Sequence, residues 1–247
     1  MHSYKLIIRE TPLIDHHRYD KARAEILRLH NERFEGNISI QDTRAYTYGE
    51  PLIGSNTPRA LSYHHYARKL GILETPVLSF EDVVRHWPLI FERDTTYADT
   101  RDIAVFSNKH KNPDNEKLRQ QTFEGLGITG TDMPLIVSGL YPLPDVDNST
   151  YGFRLIANEG LKSYPAPFLQ HDCKVRWDGE KIVKCKEGES GIQVGTPNSQ
   201  SGIRRLYRDR SDWLDAGGDD LLVSIVAGRV QFLYEPKARA QNLEARV

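Results

Sequence analysis

Residues 172–186 read DCKVRWDGEKIVKCK. Val175, Arg176 and Trp177 on one side and Ile182 and Val183 on the other flank Asp178-Gly179, the strongest short-range hairpin signal in the chain. A two-residue turn there pairs position 177 with 180 and position 173 with 184. Side chains alternate along a strand, so Cys173 and Cys185 are expected on opposite faces as two free thiols. That suits a reducing compartment. The surrounding punctuation has the same character. Prolines at 142, 144, 165 and 167, Asn148-Ser149 and Gly188 to Gly191 divide short alternating runs. Residues 221–226 and 229–234 flank Ala227-Gly228 as a further expected hairpin. One helix is expected to interrupt the strands near 203–215, because Ile203, Leu206, Tyr207 and Leu214 share a helical face and Gly217-Gly218 can end it.

Upstream the pattern changes. The run YKLIIR at 4–9 reads as a strand, 15–34 as an amphipathic helix, and 38–40 as a returning strand. Thr57-Pro58 opens a helix to Leu70, and Ser79 caps one that starts at Phe80 and meets Pro88. Asn112-Pro113-Asp114 opens a third, through Phe123, between strand-like runs at 103–106 and 134–138. The expected fold is α+β: β-α-β-like units with several helices in the N-terminal half, and mainly antiparallel β hairpins in the C-terminal half. No polar linker divides 126–150, so one domain over 1–247 is expected, helix-rich over 1–130, β-rich over 131–235, with a tail at 236–247.

Thirty-three basic residues face 34 acidic ones, for a formal net charge of −1, so the whole molecule projects no strong field toward nucleic acid or an acidic membrane. The longest apolar runs, at 221–223 and 225–227, fall far short of the ~20 residues a membrane-spanning helix needs. The first residues lack a charged leader with an apolar core, so a cytoplasmic location is the expectation.

No motif reaches the specificity of a phosphate-binding loop, a paired-cysteine zinc site or a nucleophile elbow. Four weaker constellations remain. Asp145, followed by Glu159-Gly160-Leu161-Lys162, resembles in outline the Asp…Glu-x-Lys pattern of divalent-metal-dependent nucleases. The resemblance implies Mg²⁺ held by Asp145 and Glu159, with Lys162 orienting the attacking water. The spacing departs from the pattern: Glu159 and Lys162 are three apart and face opposite sides of a regular strand, so a bulge at Gly160 is required. The plainer reading makes Asp145, Asp147 and Asn148 turn formers, with Glu159 and Lys162 solvated.

The second constellation is basic. Over 172–210 nine basic residues face six acidic ones. Lys181 on the hairpin and Arg204, Arg205 and Arg208 on the expected helix offer phosphate contacts, with Trp177 and Tyr207 for stacking. A solvated helix face is the plainer reading. The third comprises His16-His17, His64-His65, His86 and His171, imidazoles without a helical ligand pair. The fourth is the acidic string from Asp209 to Asp220, which lacks the order of a Ca²⁺ loop.

Two functional expectations follow. One is a nucleic-acid-acting protein, specifically a Mg²⁺-dependent nuclease. The other is a non-catalytic binding or assembly module that engages a protein or nucleic-acid partner through the β-rich half. An enzyme acting on a small molecule in a pocket between the halves has no sequence feature to nominate it.

Overall fold

The computed structural model describes residues 5–7, 52–69, 77–87, 97–197, 199–209, 213–218, 221, 225–230 and 232–234. The strands are β1 (Lys5–Ile7), β2 (Leu52–Ser55), β3 (Ala98–Val105), β4 (Leu135–Pro144), β5 (Phe153–Pro165), β6 (Cys173–Trp177), β7 (Ile182–Lys184), β8 (Ile192–Gly195), β9 (Ile203–Arg208), β10 (Trp213–Asp215), β11 (Ile225–Val230) and β12 (Phe232–Tyr234). The helices are α1 (Thr57–Lys69), α2 (Phe80–Arg85) and α3 (Pro113–Leu126). The result is a mixed α+β fold dominated by one large mixed sheet. No helix among the described residues is long and apolar enough to cross a membrane.

Local chemistry sets the helix starts. Ser79 and Asp82 form a reciprocal capping box on α2, in which the Ser79 hydroxyl accepts from the Asp82 amide and the Asp82 carboxylate accepts from the Ser79 amide. Asn112 caps α3 by accepting from the amides of Asp114 and Asn115, Pro113 occupies the first turn, and Gly127 closes the helix at φ 67°.

Ten strands form the main sheet, in the order β2-β11-β3-β9-β10-β8-β6-β7, with β4 added on β3 and β5 on β4. β1 pairs separately with β12. β3 is the branch point. β9 runs along one flank of it, while the other flank holds β11 at Ala98 and Asp99 and then β4 at 103–105. Buried residues alternate between two cores. Ala104, Phe106 and Ile136 join Phe80, Val83 and Val84 in one, and Ile103, Val105, Leu135 and Val137 join Leu118 and Phe123 in the other. α2 and α3 therefore seal opposite faces of β3 and β4, which is why residues 103–105 and 135–137 read as continuous apolar runs.

Among the described residues three ladders are irregular: β11 shifts register against β2 between Ile225 and Arg229, and two further breaks lie between β3 and β9 and between β4 and β5. Asp99 pairs with Tyr207 and Ile103 with Arg205, so Thr100, Arg101 and Asp102 oppose Leu206 alone. Ser138 pairs with Lys162 and Leu140 with Ala157, so residues 158–161 of β5 oppose Gly139 alone. Gly139 (φ 82°) and Gly160 (φ 84°) both take the left-handed conformation. A Cβ on Gly139 would lie 2.6 Å from the backbone of Gly160 and Leu161, so only glycine permits this approach.

Several expectations are corrected. The helix near 203–215 does not form; 203–208 and 213–215 are strands β9 and β10. Ile203 belongs to one core and Leu206 to the other, so a strand buried on both faces imitated the three-residue spacing of a helix. β11 continues through Ala227-Gly228 as one strand, with a register shift against β2 there and no hairpin turn. β3, α3 and β4 follow in the expected order, yet β3 and β4 are antiparallel, because element order alone does not fix strand direction. Asp178-Gly179 belongs to a four-residue loop, since Trp177 pairs with Ile182. The Asp178 side chain supports that loop by accepting from the amides of Glu180 and Lys181. Cys185 donates its amide to Lys174, so it lies out of phase with Cys173, and both thiols are free. The expected helix at 15–34, the strand at 38–40 and the tail at 236–247 lie outside the described residues.

Candidate functional site at two strand bulges

The residues nominated from sequence do not converge. Asp145 opens the loop 145–152 joining β4 to β5, where it accepts from the Asp147 amide at 3.0 Å and pairs with Lys117 of α3 at 3.1 Å. Pro144 pairs with Phe153, which places Glu159 six residues further along β5, roughly 15–20 Å from Asp145 at strand spacing. Two ligands of one Mg²⁺ bring their oxygens within about 3–4 Å. Lys162 is exposed and sits opposite Ser138, beside the bulge at Gly160. Lys181 is exposed on the hairpin loop.

Arg204, Arg205 and Arg208 are 3%, 3% and 2% exposed, so they offer no surface for phosphates. Arg204 donates to Ser199 and Ser201. Arg205 donates to both oxygens of buried Asp99, at 3.0 and 3.1 Å, and stands between the rings of Tyr97 and Tyr207. Once these arginines are interior, the exposed hairpin region at 172–193 carries five basic and five acidic residues. The local basic excess disappears. Trp177 receives the Arg85 guanidinium 4.2 Å from its ring centroid. No group of three or more metal-ligating side chains gathers among the described residues. His16 and His17 are not among them, while Asp215 accepts from the Tyr207 hydroxyl at 2.9 Å.

The structure gathers another set at the β3 bulge. Asp102 is 1% exposed. One of its oxygens accepts from the Phe80 amide at 2.8 Å, at the start of α2, and the other forms a short hydrogen bond with Ser138 of β4. Burial pushes the Asp102 carboxyl above its ordinary range, against the opposing pull of the Arg101 charge and these hydrogen bonds. Arg101 projects beside it, with Nη2 3.8 Å from Asp82 and Nη1 3.2 Å from Nε2 of His64 on α1. Burial first, then the Arg101, Arg68 and His65 charges, lowers the His64 pKa to about 3, so His64 is a neutral imidazole. Burial and the carboxylates of Asp102, Glu81 and Asp82 hold the Tyr164 phenol well above its usual range. His65, next on α1, stacks on Tyr141 at a centroid distance of 4.0 Å and contacts Asn158 in the β5 bulge at 2.9 Å.

Sequence reading singled out His64 as part of a histidine pair and missed the rest. A signal existed in residues 98–106, ADTRDIAVF, where three charges interrupt an otherwise strand-like stretch. Charged residues inside a strand bounded by Ile-Ala-Val-Phe require buried partners or an irregular ladder.

What the cluster offers chemically is a buried carboxyl with a raised pKa, a hydroxyl bonded to it, a guanidinium, a neutral imidazole and a phenol. Perturbed groups and bulges concentrate at functional sites. Comparison with known protein families, with curated proteins and with solved structures finds no match to this chain.

Proposed function

We propose that the chain acts on a small molecule at the paired bulges by proton transfer, with Asp102 held as a neutral acid and relayed through Ser138. The supporting observation is the Asp102–Ser138 hydrogen bond in a site where burial favours the uncharged carboxyl. A carboxylic acid kept neutral by its surroundings can donate a proton or a hydrogen bond at neutral pH, which a solvated Asp cannot do. Arg101, Asp82 and Tyr164 are less deeply buried than Asp102. Infrared spectroscopy tests the reading. The wild type should show a protonated-carboxyl C=O stretch at neutral pH that Asp102→Asn lacks, and a spectrum in which Asp102 is ionised ends the acid role.

A second reading, a partner-binding face on the C-terminal sheet, rests on Trp213. It is 47% exposed and lies in one cross-strand row with Gln193 and Lys174. Trp213→Ala should abolish capture of any partner that uses this face while leaving the infrared signature of Asp102 intact.

A further inference from the structure

Neighbouring residues of one helix fasten both bulges. His64 of α1 meets Arg101 in the β3 bulge at 3.2 Å. His65 meets the β5 bulge, where the Asn158 amide NH₂ donates to its Nδ1 at 2.9 Å. Residues side by side on a helix point about 100° apart, so a single turn of α1 reaches both irregular strands. The His65 ring also lies flat on Tyr141 of β4, with planes 8° from parallel.

The β5 bulge bears directly on the acid–base pair. Residues 158–161 oppose Gly139 alone, so closely that a Cβ on Gly139 would lie 2.6 Å from the backbone of Gly160 and Leu161. Ser138, the adjacent residue, carries the hydroxyl bonded to Asp102. Register shows what the three extra residues achieve. Leu140 pairs with Ala157, and an unbroken ladder would continue that pairing to set Glu159 opposite Ser138; the bulge sets Lys162 there instead. Directly paired residues share a face of the sheet. The bulge thus exchanges an acidic residue for a basic one on the face where Asp102 is buried, in keeping with the use of bulges to re-aim side chains beside a site.

We infer that His65 and Asn158 are positioning residues of this site: their hydrogen bond clamps the β5 bulge to α1, and the clamped bulge, through Gly139, sets Ser138 on Asp102. The contacts run without a gap from the imidazole to the carboxyl. Hydrogen bonds weaken steeply with misalignment, so a displaced bulge is felt at the far end. The inference rests on the acid–base reading for its purpose but not on the protonation of Asp102.

The infrared band of Asp102, assigned by its absence in Asp102→Asn, reads the clamp. A carboxyl whose hydrogen bond to Ser138 loosens absorbs at a higher C=O frequency. His65→Phe keeps the ring stack on Tyr141 and loses the acceptor. Asn158→Leu keeps the volume and loses the donor. His65→Asn loses the stack but keeps an acceptor near the place of Nδ1. Gly127→Ala, strained at a left-handed position with open space around it, is the control for general destabilisation. H65F and N158L should each move the Asp102 band upward, while H65N and G127A leave it in place. A band unmoved in both H65F and N158L, or one that moves as far in H65N or G127A, overturns the inference. The two readings fail separately. An ionised Asp102 shows carboxylate stretches alone, and their displacement in H65F and N158L removes the acid role and keeps the clamp. A protonated band that neither variant moves does the reverse.

Discussion

Substituting Asp102 separates its two roles, as an acceptor and as a buried ionisable group. Asp102→Ala deprives the Phe80 amide and the Ser138 hydroxyl of their partner. Each buried donor left unpaired costs about 1–3 kcal/mol, so the loss should be about 2–6 kcal/mol. Against a domain stability of about 5–15 kcal/mol that is a large fraction. Asp102→Asn keeps the shape: the amide oxygen can accept from Phe80 and its NH₂ can donate to Ser138, so the cost should be about 1 kcal/mol or less. The pH dependence carries the sharper information. Burial raises the folded-state pKa above the ordinary value of 3.8, so the native protein retains a proton that the unfolded chain has released. This contribution to stability is complete below the unfolded value and is lost as pH rises through the folded one. Asparagine does not titrate there. Urea unfolding at about pH 4, 6 and 8 should therefore show D102N gaining on the wild type as pH rises. A difference that stays constant, or that moves toward the wild type with rising pH, means the carboxyl is ionised in the fold and refutes the reasoning.

Gly139→Ala should lower stability by more than about 2 kcal/mol, because a left-handed backbone and contacts of 2.6 Å to two residues of β5 coincide there. Gly130→Ala, with nothing within 4 Å of the added carbon, is the control and should leave the thermal midpoint nearly unchanged. Arg205→Met removes the cation that faces the buried Asp99 carboxylate and should cost about 3–5 kcal/mol. The Asp99→Asn/Arg205→Met double variant should recover part of this loss in a denaturation cycle, and simple additivity would show that the pair is uncoupled.

What the sequence discloses and what it conceals follow the range of the interactions involved. The starts of α2 and α3 were legible because Ser79 with Asp82, and Asn112 with Pro113, act within a few residues. Gly160 was legible as the one residue of its segment suited to a bulge, and the β5 bulge spans residues 158–161. β9 was misread because its apolar residues face both cores, and a strand covered on both sides has no alternation to display. Its arginines looked like surface residues because the partner that buries Arg205 lies 106 positions away. The Asp102–Ser138 pair is separated by 36 positions and by a change of strand, and it exists only because β3 and β4 are neighbours. Local sequence carries caps and turns; it does not carry sheet order.

The β3 bulge is held by side-chain and loop bonds that stand in for part of the ladder it forgoes, which is what makes it able to present a site. A three-against-one mismatch breaks the ladder opposite Leu206, and a ladder broken without compensation would leave buried amides and carbonyls open. Instead the Leu206 carbonyl accepts from the Thr100 hydroxyl at 2.8 Å, and the Arg101 amide turns to Leu78 at 3.0 Å. The Asp102 amide donates back to the Thr100 hydroxyl at 3.3 Å. Thr100 therefore serves as both donor and acceptor at the centre of the irregularity. Thr100→Val preserves its volume and removes both functions, which should cost about 1–3 kcal/mol and release the backbone that aims Asp102 and Arg101. Amide hydrogen exchange gives the local readout. The amide of Asp102 should lose protection in T100V, while that of Val137, in the neighbouring regular ladder, should not. Equal loss at both positions would show a general loosening, and the bulge would then be a packing accident without a positioning role.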